Sequence, residues 1–134
     1  MDKGQFGKRN KDVKVCRKDK GFMLTSGNEL FSINFWTDRL ITCVSEIPPG
    51  GRSGVDPGHK DVDETFYVVS GTLVMEFPNL GRCEKLNAGD SILIPQDEPH
   101  IMFNPGENVV RSVVTTAPNL GYDISELTEV KIKK

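Results

Sequence analysis

Residues 51–71 read GRSGVDPGHKDVDETFYVVSG, and residues 89–104 read GDSILIPQDEPHIMFN. These two stretches decide the fold. Each opens on a glycine-led turn and passes into a short run rich in Val, Ile, Phe and Tyr, the pattern of strands bounded by tight loops. Side chains alternate faces along a strand, so Glu64, Phe66 and Val68 share one face, as do His100, Met102 and Asn104. Both sets suit the inside of a β-structure. The chain has just two histidines, His59 and His100, and each stretch contains one of them.

The rest of the chain extends the same pattern. Upstream, apolar structure is expected to begin near Gly21 with Phe22, Met23 and Leu24. Leu30 to Trp36 then alternates around Phe31, Ile33 and Phe35, turns at Thr37, Asp38 and Arg39, and continues as Leu40 to Ile47. Pro48, Pro49, Gly50 and Gly51 end that strand, because prolines remove ladder donors and glycines open turn conformations. Thr65 to Ser70 and Thr72 to Phe77 form a hairpin about Gly71. Glu84 to Leu86, Ser91 to Ile94, Ile101 to Asn104 and Val109 to Thr116 supply further short strands. The expectation is about eight to ten strands. Helical periodicity is weak, with one turn expected around Ser125 to Thr128.

Length and charge narrow the options. At 134 residues one domain is expected. The expected division is a basic leader over residues 1–20, with eight Lys and Arg against three Asp, a β domain over residues 21–120 whose strand pattern suits a sandwich or a barrel, and a C-terminal tail over residues 121–134, frayed at Lys131 to Lys134. The net charge of -2 gives no long-range field toward nucleic acid or membrane, and no run approaches a membrane span or a signal-peptide core. A cytoplasmic protein is expected, without nucleic-acid or membrane partners. Cys16, Cys43 and Cys83 lack the paired spacing of zinc or redox motifs, and Cys43 reads as a small buried hydrophobe.

Five residues separate His59 from Glu64, which puts them on opposite faces of a regular strand. A shared site therefore requires a bend, for which Asp61, Val62 and Asp63 are available. With that bend two imidazoles and one carboxylate can converge and leave positions open for water or substrate, the ligand set of non-haem iron enzymes and some catalytic zinc sites. Taken singly, each residue also has a structural reading, a core histidine bonded to a carbonyl or a carboxylate paired with a lysine.

The spacing resembles that of the cupins, whose motifs are written G(X)5HXH(X)3,4E(X)6G and G(X)5PXGXXH(X)3N. The first maps onto Gly51, Pro57, Gly58, His59, Glu64 and Gly71, and the second onto Gly89, Pro95, Asp97, His100 and Asn104. Every interval fits, with two departures. Asp97 replaces a turn glycine, and Asp tolerates left-handed backbone angles better than most residues. Pro57 stands where the family's first metal histidine belongs, which reduces the implied ligands to His59, Glu64 and His100. Asp56, Asp61 and Asp63 are close enough in sequence to act as a replacement ligand.

The resemblance implies an all-β fold, a small antiparallel β-barrel of the double-stranded β-helix or jelly-roll type. It also implies one divalent transition metal ion (Fe, Mn, Ni or Zn). The implied function is a metal-dependent enzyme acting on a small polar organic molecule, plausibly a carboxylate or a keto/enol compound, by dioxygenase, decarboxylase, isomerase or lyase chemistry. The alternative is a non-catalytic small-molecule binding or sensing module. A substrate pocket is expected from Phe66, Val68, Met75, Ile92, Met102 and Asn104. A homodimer through an edge strand is expected, with Leu30 to Trp36 as one candidate surface and with Tyr67 and Trp36 outside the barrel or at a subunit contact.

Overall fold

The computed structural model describes residues 13–118. The first twelve residues of the basic leader, the tail and the helical turn expected around Ser125 to Thr128 lie outside the described residues. Residues 13–20 carry no strand, and among the described residues no helix is long and apolar enough to cross a membrane.

Nine strands make up the described fold: β1 Phe22–Ser26, β2 Glu29–Trp36, β3 Ile41–Ile47, β4 Asp63–Ser70, β5 Thr72–Phe77, β6 Arg82–Asn87, β7 Ser91–Ile94, β8 Ile101–Phe103 and β9 Val110–Ala117. They form a six-stranded sheet in the order β1-β2-β3-β9-β4-β7 and a three-stranded sheet in the order β6-β5-β8. Every pairing is antiparallel. This is the all-β jelly roll that the resemblance implied. Alternation along β4 buries Glu64, Phe66 and Val68 and exposes Thr65, Tyr67 and Val69.

The interior has two parts. Between the sheets, Phe66 and Val68 pack against Leu73, Met75, Phe77 and Met102 as part of the main core. At the β1–β3 end, Phe22, Ile33, Trp36 and Ile41 form a smaller cluster. Between that end and the Ser53–His59 loop lies the cavity described below.

Two expectations about β2 are corrected. The register between β2 and β3 shifts between Ile33 and Phe35, a bulge that reverses which faces the following side chains take. Trp36 therefore points inward and is buried, instead of standing on the outer surface. Leu30 to Trp36 is also not a free edge, since β2 is paired on both sides and the edges of that sheet are β1 and β7.

Candidate metal centre

Asp56 and His100 face each other in an isolated antiparallel bridge, each backbone N–H donating to the other's carbonyl at 2.9 Å. Directly opposed residues carry their side chains on one side of the pair, so Asp56 Oδ2 lies 3.5 Å from His100 Nε2. Glu64, the second residue of β4, brings Oε1 to 3.3 Å from the same nitrogen. Its other oxygen accepts a hydrogen bond from Thr116 Oγ1 at 3.2 Å. Thr116 is the register partner of Glu64 on β9, so the ladder fixes that contact.

His100 Nδ1 lies 2.9 Å from the Glu98 carbonyl oxygen. A carbonyl only accepts, so Nδ1 carries the proton, and in the neutral ring Nε2 presents a lone pair. That lone pair faces two carboxylate oxygens, which are acceptors as well. Glu64 Oε1 and His100 Nε2 are both buried without a hydrogen-bond partner. Such acceptors are satisfied by a proton on Nε2 or by a cation between them, and the donor set of carboxylate oxygens and imidazole nitrogen suits a divalent metal ion. The ligand atoms of Asp56, Glu64 and His100 lie within 4.8 Å of one another. That spread is close to the ~4 Å that two ligands at ~2.1 Å from one ion can span.

His59 borders this trio, with Nε2 at 3.5 Å from Asp56 Oδ1. The bend that brings it there is at Asp61, which adopts a left-handed φ of 60°. Asp97, in the turn position of the second motif, is left-handed as well, at φ 59°. Gly58 sits at φ 85°, and a Cβ there would meet the Glu98 backbone nitrogen at 2.5 Å. Only glycine lets the two motif loops approach so closely. Of the three loop acids named from sequence, Asp56 is at the centre, one residue before Pro57, while Asp61 and Asp63 are exposed.

The charges reinforce one another. Hydrogen bonding to Asp56 lifts the His59 imidazole above its ordinary value, outweighing its burial. Burial alone would lower His100, but the Glu64 carboxylate, the Glu98 carbonyl and Asp56 together raise it. Burial would raise Asp56, yet His59, the His100 charge and the Gly58 N–H hold it below the usual carboxylate range.

Beside the cluster is a cavity of about 370 Å³. Glu64, His59, Phe66 and Met102 contribute to its wall. The other side chains expected to line a pocket lie elsewhere. Val68 and Met75 are fully buried in the main core and Ile92 packs against it. That end of the interior is filled by the β5–β6–β8 sheet. Asn104 spends its amide on the backbone, donating to the Ile47 and Asn108 carbonyls and accepting from Gly106 N–H. It closes a loop.

One wall residue was not foreseen. Glu29, at the start of β2, is 6% exposed, accepts a 2.5 Å hydrogen bond from Ser45 Oγ and lines the cavity. Burial pushes its carboxyl up to about 7. The signal was present in the alternation: Glu29, Phe31 and Ile33 fall two residues apart, and all three line the cavity. Cys43 also borders it, with its thiol pushed up by burial and by the Glu64 and Glu29 charges.

The family profile described as "Cupin domain" matches residues 43–116. No curated protein sequence matches the chain. Among solved structures, a conserved protein with a double-stranded β-helix domain from Klebsiella pneumoniae superposes with a TM-score of 0.69 at 23% identity, over 82% of this chain and 95% of that one. The polyketide cyclase RemF from Streptomyces resistomycificus gives 0.67 at 19% identity, over 92% and 89%. The Cupin_2 domain of an XRE family transcriptional regulator from Enterobacter cloacae gives 0.60 at 22%, over 66% and 95%. At these identities the likeness speaks for the fold. The motif spacing, the nine-stranded jelly roll and a family profile covering more than half of the sequence agree, and the chain belongs to the cupin family.

Proposed function

We propose that this protein is a metal-dependent enzyme acting on a small organic molecule, with Asp56, Glu64 and His100 holding one divalent transition metal ion and His59 contributing the second imidazole. The observation that carries this reading is the pair of buried, unpartnered acceptors, Glu64 Oε1 and His100 Nε2, at the edge of a cavity large enough for a substrate. Asp56 offers the ligand that Pro57 cannot. When bound, such a metal supplies a Lewis acid that polarises a substrate oxygen and stabilises developing negative charge. The chain's own residues orient the centre: Thr116 holds one Glu64 oxygen, and the Glu98 carbonyl fixes the His100 tautomer. The mostly apolar cavity wall suits the apolar part of what binds there.

The similarity to a polyketide cyclase and to a structure titled as a predicted oxalate decarboxylase from Thermotoga maritima supports an enzyme of the decarboxylase, isomerase, lyase or dioxygenase kind. The similarity to the cupin domain of a transcriptional regulator supports a second reading, a sensing module using the same cavity. Product formation separates the two. Metal-loaded protein incubated with small keto, enol, phenolic and carboxylic compounds, with and without oxygen, is expected to yield a product by mass spectrometry that His100→Ala does not yield. Tight binding without turnover across the panel would favour the sensor. A homodimer is the proposed assembly, and the exposed Tyr67, Val69, Leu93 and Val113 on the outer side of β4, β7 and β9 support it.

A further inference from the structure

The two ends of the cavity differ in chemistry. Leu24, Phe31, Ile33, Trp36 and Ile41 form an apolar wall, while Asp56, Glu64 and His59 mark the polar end, with Glu29 in addition. The lining includes three carboxylates, and no lysine or arginine. We propose that the cavity selects an uncharged molecule with an apolar body and a carbonyl or hydroxyl oxygen, and that Glu29 is the residue that holds that oxygen. This rests on reading the cavity as a substrate site, and it chooses between the two substrate forms expected from sequence, a carboxylate and a keto/enol compound.

The first argument is charge. A divalent ion held by Asp56, Glu64, His100 and His59 would offset the two carboxylates and keep both imidazoles neutral, so with Glu29 protonated the site is neutral and with Glu29 ionised it is negative. In neither state does a net positive charge face an incoming anion, which would give up its hydration for no fixed counter-charge. An uncharged oxygen on an apolar body loses far less. The second argument is hydrogen-bonding capacity. Ser53 Oγ already donates to the Gly54 carbonyl and accepts from Met102 N–H, and Thr116 is committed to Glu64. Glu29 has one oxygen on Ser45 and, among the described residues, no other hydrogen bond. Burial favours the uncharged form of this carboxyl. A protonated carboxyl can donate to a carbonyl, and an ionised one can accept from a hydroxyl.

Trp36 is the single tryptophan of the sequence and stands in the cavity wall, so its emission reports occupancy. The test titrates the full chain, metal-loaded, with benzamide and with benzoate, which differ chiefly in charge, reading Trp36 emission and ligand-observed NMR. Wild type is expected to bind benzamide about tenfold more tightly than benzoate. Glu29→Leu should weaken benzamide binding and so lower that ratio, with metal content unchanged, and Glu29→Gln, which keeps a donor, should retain benzamide affinity. Equal affinity for the two probes in wild type, or an unchanged ratio in Glu29→Leu, overturns the proposal. The wild-type comparison decides alone if Glu29→Leu does not fold. Metal content measured on the same samples keeps a failure of the metal centre distinct from a failure of this selectivity.

Discussion

His100 has each of its ring nitrogens in a different role, and its neighbours enforce the difference. Nδ1–H is spent on the Glu98 carbonyl, so Nε2 is directed as a lone pair toward Glu64 and Asp56. Replacing Glu64 by Gln keeps the shape and the Thr116 contact but removes one negative ligand; metal affinity should fall by at least about tenfold, read by competition with a chromogenic chelator. Glu29 makes a separate prediction. Its folded value of about 7 lies above the ordinary 4.5, so its contribution to stability is complete below about pH 4.5 and is lost as pH rises through 7. In metal-free protein, Glu29→Gln should therefore gain on wild type between pH 5 and pH 8, by at most about 3 kcal/mol, in urea unfolding at each pH. A gap that does not change with pH would contradict the buried carboxyl. At this scale the sequence was only partly informative. His100 and Glu64 could be picked out because motif spacing marks them. Asp56 is one of three equivalent loop acids in the sequence, singled out only by the Asp56–His100 bridge, and Glu29 lies just outside the apolar run Leu30 to Trp36.

Among the elements, the loop from Ser53 to His59 matters most. It is held by backbone bonds to the β8 region, Ser53 N–H to the Met102 carbonyl and Asp97 N–H to the His59 carbonyl among them. Gly58 makes the approach possible, so Gly58→Ala combines a strained positive φ with a Cβ set against backbone. We expect a loss of about 1–3 kcal/mol and a weakened metal site, seen as a lower melting temperature and a reduced metal load. Strand positions were legible from sequence because the apolar runs are short and turn-bounded. The inward turn of Trp36 was not, because a bulge between Ile33 and Phe35 leaves no mark on the hydrophobic pattern beyond two adjacent aromatics, Phe35 and Trp36. The cavity followed from the same bulge, since Trp36 and Ile41 build part of its wall.

For the whole molecule, the two sheets divide the interior into a packed half and a hollow half. The β6-β5-β8 sheet fills the space over Val68 and Met75, and the longer sheet runs on past it to enclose the cavity with β1 and β2. The proposed ligands come from the 53–59 loop, β4 and the β8 approach, three separate parts of the chain, so an ion bound there would stabilise the folded state by mass action. At free metal about 100-fold above Kd this is about 2.7 kcal/mol, and a chelator should lower the melting temperature of wild type by several degrees while leaving His100→Ala unchanged. Acid should act in the same direction, because protons compete for imidazoles whose affinity for them is already raised.

The most direct measurement is elemental analysis of the untagged, full-length protein beside His100→Ala, both confirmed as folded by circular dichroism. Wild type should carry about one equivalent of a divalent transition metal per chain, and the variant close to none. An equal metal load in the two proteins would contradict the assignment of His100 Nε2, and with it the centre built around that nitrogen.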